Sequence, residues 1–217
     1  MSAITSISKM LAVLLVLLVP MCVTFGQHHA HQEHASPQEV ANKPVDTPVG
    51  KPGRIEMYKA SFEIPEALLI NQDGKQVRLY SDLVKGKVAL INFFFTSCTF
   101  VCPMQGRALS KLKERLERRV GRDVFFVSIS KDPKNDTPER LKQWGKTYGA
   151  GRGWSLLTGE PAVISKLLWD FSGDKIGQEM HESMVLIGND KTGVWTTADG
   201  LLLPDDLLRV IDKISRP

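Results

Sequence analysis

Residues 88–95 (Val-Ala-Leu-Ile-Asn-Phe-Phe-Phe) are apolar apart from Asn92. A run without polar alternation reads as a strand buried on both faces, so structure must pack on either side of it. It leads directly into Cys98-Thr99-Phe100-Val101-Cys102-Pro103, and a helical pattern follows over residues 104–120. Pro103 suits a first helical turn, where its missing N–H costs nothing. Two thiols therefore fall where a buried strand gives way to a helix N-terminus. Unpaired backbone N–H groups and the helix dipole favour thiolates there. With residues i and i+4 on one helix face, Cys98 and Cys102 would point at one small object or at each other. A soft metal such as Cu(I) is one such object, because thiolates match its softness. A disulfide is the alternative.

The rest of the chain supplies layers for that strand. Residues 67–70 and 76–80 flank Asn71-Gln72-Asp73-Gly74, a hairpin signal. Asp82-Leu83-Val84-Lys85-Gly86-Lys87 reads as a turn into the buried strand. The helix over 104–120 would bury Ala108, Leu109, Leu112 and Leu116, with Arg107, Lys111, Arg115 and Arg118 on a solvated outer face. A second buried strand is expected over 124–130, then a polar loop over 131–135. Asp136 or Thr137 caps a helix with Pro138 in its first turn, running to about residue 148. The Gly149-Ala150-Gly151-Arg152-Gly153 run follows a helix, not a strand, so it reads as a helix end and not as a dinucleotide fingerprint. A short strand over 155–157, a helix over 162–171, a hairpin of 184–188 with 194–197, and a last helix over 204–214 complete the pattern. Strands alternating with helices in this way give an α/β sandwich.

These elements in order resemble the Sco/SenC family, thioredoxin-like copper-binding accessory proteins of cytochrome c oxidase assembly. The resemblance rests on Cys98, Cys102 and Pro103 after a buried strand, on Asp132-Pro133 and Asp136-Thr137-Pro138 after the next strand, and on His181 before a later one. It spans roughly residues 61–217. It implies a thioredoxin-like sandwich with a central mixed sheet, flanking helices and an N-terminal hairpin. It also implies a copper site of Cys98, Cys102 and His181. Two thiolates and a neutral imidazole leave a net charge of −1 around Cu(I) and zero around Cu(II). The implied partner is an apo-metalloenzyme that receives copper, such as an oxidase subunit. The chain departs from the family pattern in having Met180 before the histidine and Glu182 after it, and Thr99-Phe100-Val101 between the thiols. Met104, Met180 and Met184 read as core filling, with auxiliary soft ligation as the alternative. Asx-turn and N-cap roles account for Asp132 and Asp136; the alternative is that a carboxylate there orients the metal loop or a partner.

An enzyme reading uses the same thiols. Cys98 and Cys102 would serve as the catalytic pair of a thiol–disulfide oxidoreductase, which would need a thiol reductant as partner and would not need His181. The three cysteines include Cys22, which lies in the N-terminal apolar segment, so the folded part holds only the motif pair. That is no disulfide scaffold.

The N-terminal end points outside the cytoplasm. Lys9, then an apolar run over 10–25 broken by Pro20, then Thr24-Phe25-Gly26 read as a signal peptide over residues 1–26, with a retained membrane anchor as the alternative. The expected location is periplasmic or membrane-anchored facing the periplasm. Residues 27–60 form a Pro-rich, His-rich linker that cannot bury a core. Its His28, His29, His31 and His34 either gather metal loosely or only solubilise the spacer. The net charge of +4 is small for 28 basic and 24 acidic side chains, and no basic cluster with aromatics suggests nucleic acid.

Overall fold

The computed structural model describes residues 55–58, 63–172, 184–198 and 203–216. The leader, the His-rich linker up to residue 54, and Met180, His181 and Glu182 lie outside the described residues. The elements in chain order are β1 (Ile55–Tyr58), β2 (Leu68–Asn71), β3 (Gln76–Arg78), β4 (Val88–Phe94), α1 (Val101–Leu116), β5 (Val124–Ser130), α2 (Pro138–Thr147), β6 (Trp154–Thr158), α3 (Pro161–Ser172), β7 (Val185–Asn189), β8 (Val194–Ala198) and α4 (Pro204–Ser215). The strands make one mixed sheet in the order β1-β8-β7-β4-β5-β6-β2-β3. β4 runs parallel to β5 and antiparallel to β7, and β5 runs parallel to β6.

The apolar run becomes the centre of the sheet for the expected reason. Every residue of β4 is buried. Side chains alternate between faces. Val88, Leu90 and Phe94 join Val124 and Phe126 of β5 under Leu109, Leu112 and Leu116 of α1, Leu141 and Trp144 of α2, and Leu207 and Ile211 of α4. Ala89, Ile91 and Phe93 join Val127 and Ile129 on the opposite face, under Ile164 and Leu167 of α3 and against Leu69 and Leu79. This is a thioredoxin-like α/β sandwich, with the β2–β3 hairpin attached at the β6 edge.

Three local differences from the sequence reading have physical causes. Helix α1 starts at Val101, not at residue 104, and its α-helical bonding stops at Leu116. There Glu117 takes φ 49° and ψ −123° and a short 3₁₀ turn, Glu117–Arg119, follows. The segment after β3 is a single π-helical turn, Leu79–Val84, which buries Leu79 and Val84. The hairpin's second strand is correspondingly shorter than 76–80. Finally, Ile55–Tyr58, assigned by composition to the linker, is an edge strand paired antiparallel with β8, Ile55 opposite Ala198 and Tyr58 opposite Trp195. An edge strand of this length contributes backbone hydrogen bonds more than a burial pattern, so hydrophobic periodicity does not reveal it.

Candidate metal and thiol site

The two loops that matter leave the C-terminal ends of adjacent parallel strands, the usual place for a site in an α/β sheet. Phe94 of β4 is in register with Ser130 of β5. Beyond that pair the Lys131 N–H donates to the Phe94 carbonyl at 2.8 Å, and the Cys98 N–H turns back to the Phe95 carbonyl at 3.2 Å. The cysteine loop is pinned to the second loop by Asp136, which is fully buried. Its carboxylate accepts the Thr96 N–H at 3.0 Å, the Thr96 hydroxyl at 2.5 Å and the Ser130 hydroxyl at 2.6 Å. A buried carboxylate needs such donors to be tolerated. The cap of α2 is Thr137, whose hydroxyl accepts the Arg140 N–H. Asp136 therefore acts as a tie between the two loops, beyond the turn and cap role that its sequence context suggests. Asp132 does keep a local role, with both oxygens 2.9 Å from the Asn135 amide nitrogen.

The thiols meet, but not on one helix face. Cys98 precedes α1 and Cys102 lies in its first turn. The N-cap position, Phe100, offers no side-chain acceptor. The Cys98 Sγ supplies one instead, accepting the Cys102 N–H at 3.3 Å. A sulfur thus satisfies one of the unpaired donors that begin every helix. Cys98 is half-buried and Cys102 is 3% exposed.

Their acidities split accordingly. Burial pushes the Cys98 thiol up. Hydrogen bonds from the Cys102 thiol and from the backbone N–H groups of Cys102, Phe100 and Val101 outweigh it, and Cys98 falls below the ordinary thiol value. Burial, joined by the hydrogen bond to Cys98 and by its charge, pushes Cys102 up to about 12. A backbone hydrogen bond from Phe95 and the charge of Lys131 pull Cys102 the other way. Cys98 is therefore the more acidic sulfur of the pair and Cys102 the one that holds its proton longer, an arrangement suited to a soft metal or to thiol exchange.

A buried polar chain that the sequence reading did not single out links β6, β5, β4 and α1. The Trp154 indole can only donate, and it donates to the Ser128 hydroxyl at 2.9 Å. Ser128 must then donate onward, to the Asn92 oxygen at 2.6 Å. The Asn92 amide nitrogen donates to the Gln105 oxygen at 3.1 Å. The direction of every bond follows from the indole. The chain ends at the Gln105 amide nitrogen, which has no hydrogen-bond partner among the described residues. Two signals for it were present in the sequence: Asn92 is the one polar residue in the apolar run, and Gln105 follows Cys102 by three positions.

The described residues bring Cys98 and Cys102 together and hold no cluster of three His, Cys, Asp or Glu side chains able to bind a metal. His181 lies outside them, but the strand that follows it is placed. β7 pairs with β4, Val185 opposite Asn92, so the strand after His181 adjoins the strand before Cys98. Met184 and Met104 are half-buried, Met184 against the core.

Comparison with known proteins agrees with this architecture. Over 100 residues the chain is 37% identical to the SCO1 protein homolog of Bacillus subtilis, an overlap of 46% of this chain and 50% of that protein. The chain thus spans about half the length of that relative. The structure of BsSco, a member of the Sco family of cytochrome c oxidase assembly proteins in which a disulfide switch was identified, superposes with a TM-score of 0.57 at 30% identity. It covers 71% of this chain and 94% of that one. Bradyrhizobium japonicum ScoI with copper bound shares the fold at a TM-score of 0.55 and 24% identity, over 68% of this chain and 96% of that one. The SCO1/SenC family model matches residues 57–215, a span that takes in strands β2 to β8, both loops and the two thiols; the chain belongs to the SCO1/SenC family.

Proposed function

We propose that this protein binds copper outside the cytoplasm through Cys98, Cys102 and His181 and hands it to an apo-metalloenzyme such as an oxidase subunit. The observation that carries the reading is the thiol pair itself, one sulfur half-buried and thiolate-prone, the other buried and hydrogen-bonded to it. Sulfur donors held together at the mouth of a sheet fit Cu(I), a soft ion content with few ligands. Support for His181 comes from chain reach. His181 precedes Val185 of β7 by four positions, and an extended chain of that length spans at most about 14 Å, so the sequence keeps it within that reach of the strand beside β4. Copper bound to Sco relatives, as in the Bradyrhizobium protein, points the same way. Export is supported by the leader-like residues 1–26. The test is a Cu(I) titration of the reduced protein followed in the ultraviolet. Thiolate-to-copper absorption should rise linearly and break at one equivalent. No absorption change, or no break, would overturn the reading.

A second reading, thiol–disulfide exchange by Cys98 and Cys102, draws on the same split in acidity, since a thiolate attacks and a protonated partner waits. It requires no histidine. Retention of exchange activity in His181→Ala, together with undiminished copper binding, would favour it.

A further inference from the structure

We infer that Phe100 and the cationic surface beside it form the docking face for the protein that exchanges copper with Cys98, and that this partner presents an apolar pocket flanked by carboxylates. The inference rests on the copper reading above. Phe100 sits between the two thiols and is 72% exposed. A phenyl ring in water at that position contributes nothing to the core, and any partner reaching Cys98 must cover it. Passing a metal between proteins requires ligands of both to hold one ion at the same moment, at bond lengths of about 2.3 Å for a sulfur ligand. Phe100, two residues from Cys98, is then inside the contact. A buried aromatic is a common energetic anchor of an interface.

The charge around Phe100 selects the partner. Along the outer face of α1, Met104, Arg107 and Lys111 follow Phe100 at helical spacing, and both cations are exposed. The loop tied to Thr96 by Asp136 carries Lys131 and Lys134. Lys131 Nζ lies 5.6 Å from the centre of the Phe95 ring, and Lys134 is exposed. The same loop carries Asp132 and the fully buried Asp136, so its two lysines are balanced and the cationic excess lies on α1. The α1 side of Phe100 is therefore the cationic one, and an acidic partner is steered to it through Arg107 and Lys111.

The probes are two synthetic peptides with the same Cys-Gly-Gly-Cys core and one leucine, flanked by aspartates in one and by lysines in the other. The first arm measures Cu(I) transfer from the loaded, full-length protein by stopped flow. The second arm contains no copper. Each peptide, with a single cysteine retained, is supplied as its mixed disulfide with thionitrobenzoate. The Cys98 thiolate attacks the peptide sulfur, a Cys98–peptide disulfide forms, and the thionitrobenzoate anion leaves with the electron pair and is read by its colour. The acidic peptide should react on the order of tenfold faster at low ionic strength, with the difference vanishing at high salt. Phe100→Ser should slow the acidic peptide severalfold, Phe100→Trp should restore it, and Arg107→Glu with Lys111→Glu should invert the preference. Lys166→Glu on α3, across the sheet, should change nothing. Equal rates for the two peptides in the copper-free arm, or no effect of Phe100→Ser, would overturn the proposal. Failure to load Cu(I) at all would instead count against the copper reading, and the second arm would still judge the surface. A Phe100-dependent dimer in sedimentation would assign the face to a second copy and overturn the acidic-partner assignment.

Discussion

Asp136 holds Thr96 by two hydrogen bonds, one to its N–H at 3.0 Å and one to its hydroxyl at 2.5 Å. Thr96 is two residues from Cys98, so the carboxylate sets where the cysteine loop leaves the sheet. Asp136→Ala would leave the Thr96 N–H and the Ser130 hydroxyl buried or half-buried without their acceptor. The expected cost is roughly 3 kcal/mol of stability, read from urea unfolding. Cys98 should also become more reactive toward iodoacetamide as the loop loosens. Unchanged stability and unchanged thiol reactivity would show that the tie does not hold the loop.

The split in thiol acidity gives a pH signature in the reduced, copper-free protein. Cys98, held below the ordinary value of 9.0, should be alkylated first and with a rate that rises below that pH, while Cys102 stays unmodified until far more alkaline conditions. The stability effects have opposite signs. The depressed Cys98 stabilises the fold above the unfolded value and loses that contribution as pH falls through its folded value. The raised Cys102 keeps its proton in the folded state while the unfolded chain loses it, so stability declines as pH rises from 9.0 toward about 12. Cys102→Ala should flatten part of that alkaline decline. Equal alkylation rates at the two cysteines would contradict the assignment.

The buried chain from Trp154 to Gln105 predicts a coupled pair. Gln105→Met leaves the Asn92 amide without its acceptor and should cost about 1–3 kcal/mol. Trp154→Phe removes the donor that sets the direction of the chain, and the two changes should combine non-additively because they share a network. Urea unfolding of the two single variants and the double variant completes the cycle. Strict additivity would mean the bonds act separately.

How much of this was readable in the residues follows from the kind of signal each left. β4 and β5 were legible because burial on both faces writes a continuous apolar run. Pro138 and Pro204 announced two helix starts that the structure keeps. The start of α1 was not legible, because its cap is the sulfur of Cys98, a residue type that carries no capping signal. The role of Asp136 was masked by a local pattern that explains an aspartate equally well as a cap. The partners Thr96 and Ser130 become visible only when β4 and β5 lie in register. Asn92 and Gln105 are remote in sequence from Ser128 and Trp154, so nothing local links them. β1 offered too short a segment to show a period. The position of the thiols at a strand-to-helix junction was legible in full, and their asymmetry was not, since it depends on which sulfur lies deeper.

The placement of β1 also sharpens a prediction about the tail. A chain beginning at residue 51 keeps β1 and should retain one tight copper equivalent while losing weaker copper bound by His28, His29, His31 and His34. Isothermal titration of the two lengths checks it. Loss of the tight equivalent on this truncation would mean the tail supplies a primary ligand.

The central claim is that copper is held by both sulfurs together with His181. Each sulfur can give its electrons to copper or to the other sulfur in a disulfide, not to both. The most direct measurement is stoichiometric copper uptake under chelator competition by the reduced protein, the oxidised protein, Cys98→Ser, Cys102→Ser and His181→Ala. Only the reduced parent should hold one tight equivalent, with uptake abolished by oxidation or by either serine substitution and affinity strongly weakened in a folded His181→Ala. Tight uptake of one equivalent by the oxidised protein, or by His181→Ala with the parent's affinity and spectrum, would contradict it.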